Sequence, residues 1–258
     1  MQLVDVHCHL ESGYFTDNLP NIIRQATNAG IVKLITASIS PSQWEKTLNI
    51  AAQFKEVECA LGVHPWYIKP KDMDSLPSLA ALCQNAVAIG EIGLDSKNIE
   101  TTLEEQKPFF EAQLAIANEL GLPVIMHCRG AFQELISSIK RVGVPKAGGI
   151  IHSFNGSSEI AAEFMKLGMS FSLGGILTYR NSTKHVKLLK TIYPAHLLLE
   201  TDSPDIVPIE ARTDPPTPNV PANILYNLHA AAELLGEPVE KVAEITTANA
   251  YRIFNMHD

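Results

Sequence analysis

The tripeptide His7-Cys8-His9 places two imidazoles two residues apart near the start of the chain. Strand side chains alternate faces, so residues at i and i+2 point the same way and can share one cation. Further along, Glu91, His127, His152 and Asp202 each end a different short apolar run. Four neutral imidazoles and two carboxylates suit zinc and other first-row divalent ions. Two divalent ions (Zn, Mg or Mn) held by His7, His9, Glu91, His127, His152 and Asp202 would leave a surplus of about two positive charges. That surplus would lower the pKa of a bound water and attract an anion. The chemistry indicated is metal-assisted hydrolysis.

Around this set stand weaker candidates. His64, beside Pro65 and Trp66, is either a phosphate or substrate contact or a structural histidine. Arg129, two residues past His127, could fork onto a phosphate or hold its loop through a salt bridge. Asn155 reads better as a helix cap than as a site residue. Glu200 shares a strand face with Asp202 and is either a partner to the ligands or a buried acid bonded to a neighbouring strand. Cys8 and Cys128 alternate to the opposite face and should pack against helices. His185, His196, His229 and His257 fall outside strand ends and read as surface histidines, and Lys69 and Lys71 as a solvated turn.

Such a set needs a scaffold that brings several strand ends together. Apolar runs at 3–7, 33–37, 58–63, 86–91, 123–127, 149–152, 169–173 and 197–200 read as strands. Helical periodicity fills 18–29, 42–54, 75–84, 103–120, 131–141, 158–167, 183–192 and 221–235, and a last helix covers 239–254. Gly30, Gly121 and Gly168 follow helix ends, where a residue tolerant of positive φ is wanted. Eight strand–helix units without a change of composition predict one (β/α)₈ TIM barrel over residues 1–258, an α/β fold that typically takes ~250 residues. The competing architecture is an open doubly wound sheet. Catalytic residues of the barrel come from the C-terminal ends of its strands, and the candidates sit at the ends of runs one, four, five, six and eight. Segment 204–221 carries six prolines and no periodicity, so it should overhang that face as a stiffened loop.

Hydrophobic residues are 46% and charged residues 19% of the 258, enough apolar content for a core and too little charge for a disordered chain. A net charge of −8 argues against gripping long duplex with the whole surface, and leaves room for nucleic acid at a local site. The four cysteines form no CxxC pair, and neither a signal peptide nor a transmembrane run is evident. These features predict a cytoplasmic protein with reduced thiols and neither a membrane nor an obligate protein partner.

The motifs occur in a specific order: His7-Cys-His9, Gly62-Val-His64-Pro65, Gly90-Glu91-Ile-Gly93-Leu-Asp95, His127-Cys-Arg129, His152-Ser-Phe154-Asn-Gly156 and Glu200-Thr-Asp202-Ser-Pro204. Asn219-Val-Pro221-Ala-Asn223 and Thr247-Ala-Asn249 follow. This series resembles the TatD family of metal-dependent deoxyribonucleases in the amidohydrolase superfamily. The resemblance implies one metal on His7, His9, Glu91 and Asp202, and a second on Glu91, His127 and His152, with Glu91 bridging. It also implies that Asp202 orients the attacking water and accepts its proton. DNA would be the substrate and a metal-activated water the attacking group. One departure is Ser96-Lys97-Asn98, where the family often carries aromatic residues. The alternative is a small-molecule amidohydrolase or phosphoesterase with the same binuclear site, and a catalytically silent binding protein stands third.

Overall fold

The computed structural model of the chain describes residues 1–179 and 183–256; His257 lies outside them. Eight strands form one sheet in strict sequence order, all neighbours parallel. They are β1 (Leu3–Cys8), β2 (Ile31–Ala37), β3 (Val57–Leu61), β4 (Ala88–Asp95), β5 (Val124–Arg129), β6 (Gly149–Ile151), β7 (Met169–Leu173) and β8 (Leu197–Leu199). Between them run α1 (Leu19–Asn28), α2 (Trp44–Gln53), α3 (Leu76–Leu82), α4 (Leu103–Leu120), α5 (Phe132–Val142), α6 (Ser158–Met165) and α7 (Thr183–Ile192), and α8 (Ile224–Leu235) and α9 (Val239–Phe254) end the chain. A doubly wound sheet must reverse its strand order at a switch point. The sequential order here has no reversal, so the fold is the (β/α)₈ barrel.

The seam between β8 and β1 is closed by side chains as well as backbone. The buried Asp5 carboxylate accepts the Thr201 amide at 2.9 Å and its hydroxyl at 2.6 Å. The Asp202 amide then donates to the His7 carbonyl at 3.0 Å, and the His9 amide to the Ser203 carbonyl at 2.8 Å. Burial pushes Asp5 up to about 7 against the pull of the Thr201 bonds.

The apolar core falls into two clusters. Val4, Val6, Ile35, Ala60, Ile125 and Leu198 belong to an inner cluster, which α9 joins through Ala250, Ile253 and Phe254. Cys8 and Cys128 fall in the outer cluster between strands and helices, as alternation predicts.

On β5, alternation carries Ile125 and then His127 inward; on β6 and beyond it, Ile150 and then His152. On β1 and β4 it does not. Pairing of β1 with β2 slips by one residue between Asp5 and Cys8, and pairing of β4 with β5 slips between Ile89 and Ile92. A bulge of this kind re-aims side chains. It turns His7 inward although Val6 already faces in, and it does the same for Glu91 after Ala88.

This corrects one expectation. Glu91 does not end its strand; β4 continues to Asp95, because Leu94 and Asp95 pair with Cys128 and Arg129. Gly93 permits that pairing. Its φ is +152°, and a Cβ there would lie 1.9 Å from the His127 carbonyl oxygen. Gly93→Ala is therefore expected to lower stability by about 2–5 kcal/mol through backbone strain and overlap. Thermal unfolding of the purified variant checks this; an unchanged midpoint would show that β4 and β5 do not need this approach.

Segment 204–221 is ordered loop. Buried Asn219 fastens it: its backbone amide donates to the Pro204 carbonyl at 2.8 Å, and its side-chain amide to the Thr201 carbonyl at 2.9 Å. Among the described residues no helix is long and apolar enough to cross a membrane.

Candidate metal centre

The six sequence-selected side chains converge at the C-terminal mouth of the barrel, and Glu91 lies at their middle. Its Oε2 stands 3.3 Å from His7 Nε2 and 3.6 Å from His9 Nε2. Asp202 Oδ1 is 3.5 Å from each of the same two nitrogens. A tetrahedral ion with bonds of about 2.1 Å has edges of about 3.4 Å, which these four distances approach. Ligand atoms of His7, His9 and Glu91 lie within 4.8 Å of one another, as do those of His7, His152 and Asp202. The other oxygen, Oε1, faces His127 Nδ1 at 3.2 Å, His152 Nε2 at 2.7 Å and His64 Nε2 at 3.1 Å. One carboxylate thus faces two nests of nitrogen.

Which nitrogens can act as ligands follows from what the far side of each ring touches. His9 Nδ1 lies 2.8 Å from the Ala37 carbonyl, an acceptor only, so in the neutral ring this nitrogen carries the proton and Nε2 is the lone-pair nitrogen. His127 Nε2 lies 2.9 Å from Asp95 Oδ2, which leaves Nδ1 as the lone-pair nitrogen of the neutral ring. His64 has the opposite arrangement. Its Nδ1 accepts the Trp66 amide at 3.1 Å, so its proton is on Nε2 and points at Glu91. His64 is therefore a hydrogen-bond donor in this structure. Both nitrogens of His7, and Nδ1 of His152, are buried without a hydrogen-bond partner. Buried imidazoles left unsatisfied in this way, beside two carboxylates, fit a divalent cation.

Neighbouring elements hold these rings. Asp95 accepts from the Trp66 indole at 2.7 Å and from the Lys97 amide at 2.7 Å, and these bonds with His127 keep it down at about 2 against the opposing effect of burial. Helix α4 places two buried glutamines on one face, seven residues apart. Gln106 clasps the Asp95 backbone, and Gln113 clasps that of Val63, the residue before His64. Glu11 lies 3.3 Å from His9 Nδ1 and accepts the Thr36 hydroxyl at 2.7 Å. Glu200 accepts the Ser153 amide at 2.7 Å and lies 3.9 Å from His152 Nδ1, so it is bonded to neighbouring strands and stands behind a candidate ligand. Sequence reasoning gave no role to Asp5, Glu11, Asp95, Trp66, Gln106 or Gln113, although Asp95 stands in a quoted motif and Trp66 beside His64. The period-two run Asp5, His7, His9, Glu11 was the available signal for two of them.

The remaining candidates separate clearly. Arg129 is exposed and lines the cavity above the cluster, and among the described residues no carboxylate stands within ion-pair distance of it. Asn155 also lines the cavity. It is not the cap of α6: Ser157 is, accepting the Ile160 amide. His229 is exposed, whereas His196 is half-buried and bonded to Ser170 at 3.1 Å, which corrects its reading as a surface histidine.

The cluster is charged before any cation binds. Burial and then the charge on His152 push His7 down to about 4. Burial acts the same way on His152, but Glu91, Glu200 and Asp202 outweigh it and lift His152 to about 9. Glu91 is held well below the carboxylate range despite its burial, by His152, His64 and His7. Because His152 sits above the ordinary imidazole value of about 6.5, its protonation stabilises the metal-free fold below that pH, and the contribution is lost as pH rises through about 9. A cation must displace that proton. His9 and His127 are raised as well, against burial, by the carboxylates beside them. Affinity is therefore expected to rise at least about tenfold per pH unit between about pH 6 and about pH 8, as isothermal titration would record. A dissociation constant flat across that window would contradict it.

The family model for TatD-related DNases matches residues 4–255. The chain belongs to this family. An uncharacterized metal-dependent hydrolase of Bacillus subtilis is 31% identical over 99% of this chain and 100% of its own length. Deoxyribonuclease TATDN3 of Homo sapiens is 32% identical over 98% of this chain and 94% of its own. The crystal structure of the Escherichia coli TatD homologue YjjV superposes with a TM-score of 0.91 at 29% identity, covering 99% of this chain and 98% of that one. This TatD-family chain is accordingly a metal-dependent hydrolase, and its His, Glu and Asp clusters could hold the metal.

Proposed function

We propose that the chain hydrolyses phosphodiester bonds of nucleic acid, with DNA as the principal substrate, and that residues 1–258 act as one catalytic domain. The observation that carries the reading is the division of Glu91: one oxygen faces His7 and His9, the other His127 and His152. His7, His9, Glu91 and Asp202 would hold one divalent ion, and Glu91, His127 and His152 a second. Bound divalent ions supply Lewis acidity, polarising a phosphoryl oxygen and making water a better nucleophile near neutral pH.

The chain's own groups do the rest. Both Glu91 oxygens are engaged and its side chain is 3% exposed, whereas that of Asp202 is 13% exposed. Asp202 is thus the carboxylate with access to water in the cavity and the acceptor of its proton. The neighbouring histidines, His9 first, hold it low against burial, so it is ionised and able to accept. The exposed Arg129 guanidinium at the cavity is a donor suited to phosphate oxygens and presents a planar fork, whereas the buried His64 turns its N–H to Glu91 and steadies that carboxylate. Similarity to a protein named as a deoxyribonuclease supports DNA. Four buried free cysteines support work in the reducing cytoplasm.

The test is a panel of single-stranded DNA, duplex DNA, RNA and a minimal phosphodiester, each with Mg²⁺, Mn²⁺ or Zn²⁺ and with chelator. Cleavage of DNA that chelator abolishes is the expected result. Faster turnover of amides or lactones than of any nucleic acid would overturn the reading in favour of a small-molecule hydrolase.

A further inference from the structure

A second depression adjoins the catalytic cavity and plays no part in the chemistry above. Its walls include Tyr14, Asn18, Arg212, Thr213, Thr217 and Tyr226. Tyr14 also lines the metal cavity, so the two are joined at its side chain. Tyr14 is 73% exposed and Tyr226 39%. Tyrosines left this open at the lip of a cavity present flat π faces to solvent. Arg212 is exposed, and its guanidinium rests 4.8 Å from the centre of the Tyr179 ring. That seat orients the charge while leaving its N–H donors available. Glu210 is the one carboxylate among the described lining residues, and it lines a further cavity as well. Hydroxyl and amide donors, one oriented cation and two aromatic faces make the chemistry of a strand of nucleotides. Bases stack on aromatic rings, and phosphates meet guanidinium.

We propose that this groove binds the nucleotides flanking the cleaved bond of a single-stranded substrate, one base stacking on Tyr14 and a following phosphate meeting Arg212. The proposal rests on the nuclease reading. A single strand is specified because a base must leave its neighbours to stack on a side chain, which a closed duplex does not allow. The fastening of segment 204–221 by Asn219 keeps the Arg212 wall in place without the substrate.

The experiment compares wild-type protein, Tyr14→Ala and Arg212→Ala, loaded with Mn²⁺, on a thymidine dinucleotide and on an oligothymidylate of roughly ten residues. Stacking and phosphate contacts of this kind are expected to give the wild type a kcat/KM advantage on the longer strand. Each variant should lose about 5–150-fold of that advantage. The dinucleotide sets the reference for the advantage of length, metal analysis reports whether the metal site of each variant is intact, and melting curves report the fold. Variants that cleave the long strand as well as wild type overturn the groove and leave the nuclease reading standing. A wild type that hydrolyses neither substrate, with metal bound, overturns the nuclease reading and the groove with it.

Discussion

Glu91→Gln is expected to remove both halves of the metal centre in one step. The carboxylate is shared: Oε2 faces His7 and His9, and Oε1 faces His127 and His152. Glutamine keeps the size, but it replaces one anionic oxygen with an NH₂ that points hydrogens at imidazole lone pairs. Loss of one partner behind a ligand typically weakens metal affinity by about 10–100-fold, so loss of a shared ligand should exceed that. Turnover should fall on the order of 10³-fold or more. Metal analysis after gel filtration, beside a melting curve, checks both the loss and the fold. Wild-type metal stoichiometry in Glu91→Gln would show that the cations sit elsewhere.

Asp202→Asn should act on rate more than on metal content. The residue adopts φ +53°, a left-handed conformation that asparagine accepts about as readily as aspartate, so the backbone is not disturbed. The amide keeps one oxygen for a cation and loses the basicity that proton transfer needs. A general base typically contributes about 10²–10⁴-fold, and a loss of that size in kcat at saturating metal is expected, with KM little changed. If kcat stays near the wild-type value, another group takes the proton, and Glu91 or solvent becomes the candidate.

These two expectations depend on different levels of information. Residue types and order along the chain were enough for the barrel, since apolar runs with helical segments between them have few compact solutions. They also sufficed to pick out six side chains that the fold brings within contact of one another. His127 and His152 were legible for a local reason: alternation on β5, and from β6 into the residue after it, carries them inward from Ile125 and Ile150. The family resemblance, resting on ordered motifs, carried the bridging position of Glu91 and the role of Asp202; spacing alone assigned neither.

What local pattern could not reach was decided by contacts between distant elements. His7 and Glu91 point inward because β1 and β4 each slip one residue against a neighbouring strand, and a slip belongs to the pair of strands, not to either sequence. The ligand nitrogen of His9 is set by a carbonyl on β2, and that of His127 by a carboxylate on β4. His64 differs from them because the Trp66 amide occupies its Nδ1. The Asp5–Thr201 bonds that close the barrel join residues 196 positions apart. Propensity and periodicity act over one or two turns of chain. Register, tautomer and closure are properties of groups that meet only after folding, so the chemistry was readable as residue types along the chain, while the aim of each donor was fixed by tertiary structure.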